Sequence, residues 1–184
     1  VGVVPAIARA QVPETFDSAG NKAQQSDDRQ RHVKIEHLLF EALAGVERLV
    51  QAVREQAGRI DVLFVNAGIA RFAPLEQVDE ELFDATFATN VKGAFFTVQR
   101  ALPLLSQGAS VVLNASAVVE MGMPGSSVYT ASKAAVASLA RTLSGELAQR
   151  GVRFNVVHPG PIETPIYGRM GMDAQATEAM AGQI

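Results

Sequence analysis

Three apolar runs, residues 61–65 (Asp-Val-Leu-Phe-Val), 110–114 (Ser-Val-Val-Leu-Asn) and 152–157 (Val-Arg-Phe-Asn-Val-Val), are each too short for a typical helix. Continuous runs of this kind read as strands buried in a parallel sheet. Longer stretches with the helical period lie before and between them. Over 36–56, Leu39, Leu43, Val46, Leu49, Val50 and Val53 form an apolar stripe, with Glu47, Arg48, Arg54 and Glu55 mostly off it. Gly45 weakens or interrupts that stripe, which makes it a point where two helices could meet, and Gly58 ends it. Over 83–105, Phe87, Val91, Phe95, Val98 and Leu102 keep helical spacing, Asp79 reads as the N-cap, and Pro103 and Gly108 close the region. A third helix is predicted over 130–149, rich in small residues (Ala131, Ala134, Ala135, Ala137, Ser138, Ala140) that allow another element to approach closely.

This alternation predicts an α/β fold, a three-layer Rossmann-like doubly wound sheet, mostly parallel, with right-handed crossovers. The length of 184 residues suits one domain spanning 1–184. Residues 1–7 read as a short strand that Pro5 confines to an edge, if they form one. Residues 10–31, with Pro13, Gly20 and a polar mixture, read as loop or disorder, and 165–184 as a substrate lid or a tail.

Charge and composition narrow the function classes. A net charge of -3 and a pI of about 5.6 give no basic surface for nucleic acid. The chain has no cysteine, so neither a disulfide scaffold nor thiolate chemistry is expected, which fits a cytoplasmic protein. No apolar run reaches the length of a membrane span, and no basic segment precedes the apolar residues 1–8 as in a signal peptide. His32, His37 and His158 are too scattered to suggest a metal cluster.

The candidate chemistry lies in residues 116–133. Ser116 follows the second apolar run and is expected at the C-terminal edge of a strand, where open α/β sheets hold their ligands. Tyr129 and Lys133 are one helical turn apart and share a face. A phenol has an unperturbed pKa of about 10, and a neighbouring cation favours the phenolate, which suits general acid/base work. Taken alone, a Tyr-xxx-Lys spacing is more often an ordinary helix pair. Asn66-Ala67-Gly68 follows the first apolar run directly, offering an amide to neighbouring backbone and room for a ligand or another chain segment. Asn90 sits inside a helical stretch where its propensity is poor, so it is either exposed or bonded to backbone in a distorted turn. Phe72, Met121, Met123, Tyr167 and Met170 suggest an apolar substrate wall.

Together these segments resemble the short-chain dehydrogenase/reductase family. The resemblance rests on Leu113-Asn-Ala-Ser-Ala, Pro124-Gly125, Tyr129-Thr-Ala-Ser-Lys133-Ala-Ala, Asn66-Ala67-Gly68, Asn90, Asn155 and Pro159-Gly160-Pro161-Ile162-Glu163-Thr164, and covers about residues 46–169. It implies reversible hydride transfer between NAD or NADP and a carbonyl or secondary alcohol. Tyr129 would be the acid/base, Ser116 would orient the substrate oxygen, Lys133 would lower the tyrosine pKa and touch the nicotinamide ribose, and Asn90 would support a water or proton path. On the cofactor side it implies Asn66, Ala67, Gly68, Pro159, Gly160, the backbone of Ile162, and Thr164, with no metal. It also implies a homodimer or homotetramer paired through the 83–105 and 130–149 helices. The family's glycine-rich phosphate turn has no match, since Gly2 and Gly20 stand alone. The fold is therefore expected to be incomplete or divergent at both ends, and the choice between NAD and NADP is not encoded in the matched residues. The alternative is a binding or scaffold module that keeps the later motifs without catalysis. A hydrolase or lyase on a similar sheet is disfavoured by the lack of a Gly-x-Ser-x-Gly elbow.

Overall fold

The computed structural model describes residues 7–8 and 35–162, with backbone only for 7–8 and 35–42. The expected loop over 10–31, the lid or tail over 165–184, and Thr164, Tyr167 and Met170 lie outside the described residues.

A four-stranded sheet forms the frame, in the order β1 (Ile7–Ala8), β2 (Ile60–Val65), β3 (Leu105–Asn114) and β4 (Arg153–Val157). β2, β3 and β4 are parallel, while the two-residue β1 pairs antiparallel with β2 at the edge of the described sheet; the rest of the strand expected over 1–7 lies outside the described residues. Leu63 pairs with Val111 and Val111 with Phe154; one step on, Val65 pairs with Leu113 and Leu113 with Val156. These side chains alternate onto one face, where Leu63, Val65, Val111, Leu113 and Phe154 are all buried.

Helices cover that face. They are α1 (Ile35–Gln56), α2 (Glu80–Phe87), α3 (Gly93–Ala101) and α4 (Ser127–Glu146). The β2-to-β3 and β3-to-β4 crossovers run in the same direction, so right-handed connections put α3 and α4 on one side, and α1 packs beside α3. The result is a Rossmann-like parallel sheet with its helical layer. On the opposite face Phe64 and Val112 are half-buried, and Val62 and Val157 are 47% and 40% exposed. The strands are thus apolar on both faces, as a doubly wound sheet requires, and the described helices supply one of the two outer layers.

Three boundaries differ from the expectations. Gly45 does not split α1, which runs unbroken for 22 residues. A helical glycine costs about 1 kcal/mol relative to alanine, and buried Val50 and Val53 on the same stripe outweigh it. Gly58, at φ +70, does end the helix, donating to the Val53 carbonyl. β3 starts at Leu105 rather than 110, and Gly108 lies within it: Ile60 pairs with Leu105 but Val62 with Ser110, so the strand carries extra residues, and Gly108 takes φ +79 there. α4 begins before residue 130, which puts Tyr129 in its first turn. Asp79 caps α2 as expected, accepting the Leu82 N–H at 2.7 Å.

Candidate active site

The site is built where β2 and β3 end and α4 begins. Asn66 follows β2 and Asn114 closes β3, and the Asn114 side-chain amide donates to Asn66 Oδ1, joining the two strand tips. Asn66 therefore bonds a side chain rather than the backbone expected of it. Past Asn114 the chain stays bonded to the end of β4 and the residues after it: Ala115 N–H donates to Val157 O and Ala117 N–H to Pro159 O, each at 2.9 Å. Ser116 lies between those two anchors. Its hydroxyl accepts the Val118 N–H at 3.4 Å, and its carbonyl lies 3.2 Å from His158 Nδ1.

Lys133 enters the same place from α4. It is only 5% exposed, and its Nζ donates to the Asn114 carbonyl at 2.8 Å. Burial pushes its pKa from the ordinary 10.5 down to about 8. The same Nζ lies 5.9 Å from the centroid of the Tyr129 ring, so the one-turn spacing does bring ammonium and phenol together. Phe72 meets Tyr129 with centroids 5.5 Å apart and ring planes nearly perpendicular.

Asn90 is 1% exposed and sits in a π-helical turn, Ala88–Lys92, between α2 and α3. Of the two alternatives read from sequence, the backbone-bonded one is correct. Its Oδ1 accepts the Ile69 N–H at 2.8 Å, and its Nδ2 donates to Ile69 O and to Ser132 Oγ, both at 2.9 Å. Ser132, fully buried, donates its own hydroxyl to the Tyr129 carbonyl at 2.7 Å. The extra residue of a π turn lets Asn90 face inward without breaking the helix. Gly68 is the close-approach point: a Cβ there would stand 3.2 Å from Asn90 Oδ1 and 3.4 Å from Lys133 Nζ. The room predicted at Gly68 is thus taken up by another segment of this chain, its Asn90 and Lys133 side chains.

The structure gathers Asn66, Gly68, Asn90, Tyr129 and Lys133 into one bonded or touching group, with Ser116 at the adjoining strand end. Pro159 is half-buried and tied to Ala117, while Gly160 and Ile162 are exposed. Asn155 pairs with Val112 in the sheet and is exposed. Asn114 and Ser132 carry much of the bonding, yet neither was singled out as a site residue from sequence. Asn114 Oδ1 is buried and has no hydrogen-bond partner among the described residues. The Lys133 ammonium, which spends one donor on Asn114 O and has others to spare, suits a hydroxyl-bearing ligand such as a nicotinamide riboside. Residues for a pyrophosphate cradle are not among those described.

A family model described as "Enoyl-(Acyl carrier protein) reductase" matches residues 18–184. An oxidoreductase, asL5, of Sarocladium schorii is 43% identical over 136 residues, covering 71% of this chain and 55% of that protein. A 3-oxoacyl-[acyl-carrier-protein] reductase, FabG, of Thermotoga maritima is 41% identical over 134 residues, covering 72% and 54%. Among solved structures, a short chain dehydrogenase from Burkholderia cenocepacia in complex with NADP superposes with a TM-score of 0.66 at 32% identity, covering 74% of this chain and 55% of that one. The chain spans about half the length of these proteins.

Proposed function

The chain belongs to the short-chain dehydrogenase/reductase family, and from that premise we propose that it serves reversible hydride transfer between NAD(P)(H) and a carbonyl or secondary alcohol. The observation that carries this reading is Lys133, an ammonium buried to 5% exposure, fixed on Asn114 O and held 5.9 Å from the Tyr129 ring. Burying a lysine is costly, and a cation kept against a phenol at a sheet's C-terminal edge has a use in proton transfer.

Bound nicotinamide cofactor would supply or accept the hydride at the carbonyl carbon. In the reducing direction the Tyr129 hydroxyl would give its proton to the substrate oxygen as that oxygen gains charge, and in the oxidising direction the phenolate would take the proton from the alcohol. Lys133 stabilises the phenolate left behind. The Ser116 hydroxyl orients the substrate oxygen and shares its developing charge. Asn90, through the π turn, steadies the path by which a proton returns to Tyr129. On the cofactor side, Lys133 would meet the nicotinamide ribose, Asn66, Ala67 and Gly68 would shape the floor, and Pro159, Gly160 and the Ile162 backbone would hold the nicotinamide end. A cytoplasmic location and assembly as a homodimer or homotetramer complete the reading.

The alternative reading is a binding or scaffold module that keeps Ser116, Tyr129 and Lys133 without catalysis. Calorimetric titration with NADH and NADPH, with Lys133→Ala as control, separates the two. Saturable binding weakened by the substitution is the expected result. A folded chain that binds neither nucleotide would sink the oxidoreductase reading and leave the module.

A further inference from the structure

We propose that Phe72 is a specificity-determining residue, selecting carbonyl or alcohol substrates whose reacting carbon carries an apolar group, an aromatic ring or an alkyl chain. The inference rests on the reading of Tyr129 as acid/base and deepens it by assigning a substrate class. Two neighbours of the Tyr129 ring differ in character and in access. Lys133 Nζ is 5.9 Å from the centroid, but Lys133 is only 5% exposed. The Phe72 ring is 5.5 Å away and remains 37% exposed. A molecule that reaches the phenol from solvent therefore meets the phenyl ring, whereas the ammonium is shielded.

Phe72 is also held in place. The Ala73 N–H donates to Gly125 O at 2.9 Å, tying the segment after β2 to the loop before α4. Gly125 adopts φ +75, where a side chain is strained, and a Cβ there would lie 3.7 Å from Ala73 O. The tied loop carries Met121, 61% exposed, and the half-buried Met123. A single exposed phenylalanine is ordinary on a protein surface. What distinguishes Phe72 is its ring contact with the proposed acid/base, on a backbone bonded to a second loop with adaptable methionines. Covering such apolar surface with a ligand's own releases hydration water, and a group with many hydroxyls gains nothing from it.

The test is binding of two ketones, 4-phenylbutan-2-one and dihydroxyacetone, to the 184-residue chain, followed by ligand-observed NMR titration with and without NADPH. Wild type is expected to prefer the phenyl ketone. Phe72→Ala should weaken that ketone about tenfold, leave dihydroxyacetone within about twofold, and leave NADPH affinity unchanged; Phe72→Leu should restore most of the loss. No preference in wild type, or equal weakening of both ketones by Phe72→Ala, overturns the proposal. A Phe72-dependent preference in a chain that does not bind NADPH supports the apolar wall and overturns the hydride-transfer reading instead.

Discussion

Lys133 holds the site together and also destabilises the fold, and the two effects are separable by pH. Its pKa is about 8 in the folded protein against 10.5 for an ordinary lysine, because burial disfavours the charged form. The folded state thus binds fewer protons than the unfolded chain between those values, so stability rises with pH across that window. Below about pH 8 the full penalty is present, on the order of 3 kcal/mol from 1.36 kcal/mol per pKa unit. Lys133→Met should therefore be the more stable protein near pH 7, by up to about 3 kcal/mol, less whatever the lost bond to Asn114 O contributes. That advantage should shrink as pH approaches 10. Urea unfolding of both proteins at pH 7 and pH 10 measures it, and a gap independent of pH would mean the ammonium is not desolvated. The Tyr129–Lys133 pair was legible in the sequence because one helical turn is a fixed spacing. Asn114 and Ser132 were not, since an asparagine ending a strand and a serine in a helix acquire partners only when distant elements meet: Asn114 bonds Asn66, and Ser132 bonds Asn90.

Among the described residues the π turn between α2 and α3 is latched to α4 by one side-chain bond, from Asn90 Nδ2 to Ser132 Oγ, and Asn90 itself is 1% exposed. Removing the acceptor strands a buried donor, which costs about 1–3 kcal/mol. Ser132→Ala should destabilise the protein by the lower part of that range, because the same nitrogen keeps its bond to Ile69 O. Asn90→Ala should cost more, since it also frees both Ile69 backbone groups. The double variant should lose at least about 0.5 kcal/mol less than the sum. Strictly additive losses in denaturant unfolding would show that the two elements are not coupled there. Sequence reasoning reached the distorted turn from a polar residue in a helical stretch, but not its latch. It misread Gly45 and Gly108 for a common reason: a glycine marks a weak point, and whether the chain breaks there depends on burial around it. α1 continues because its stripe is buried against α3; β3 bulges at Gly108 because its pairing with β2 changes register.

At the scale of the molecule, the three parallel strands and their crossovers were legible because continuous apolar runs alternate with helical stripes. The helical layer leaves aromatic rings at its surface. Phe83 and Phe95 are 46% and 36% exposed, and Phe83 stacks on Phe87 with centroids 4.7 Å apart. These rings belong to the stretch through which the family resemblance implies pairing with a second copy. Exposed aromatics on one helical run cost free energy in water that a symmetric partner removes, and a twofold interface uses each such residue twice. A charge at the centre of that surface should therefore separate subunits while leaving the subunit's own core intact. Phe83→Asp is the test, because Phe83 lies outside the buried core. Sedimentation velocity should give a dimer or tetramer for wild type and a monomer for the variant, with far-ultraviolet circular dichroism unchanged. A monomeric wild type would refute the assembly, and an unchanged oligomer in Phe83→Asp would move the interface away from this helix.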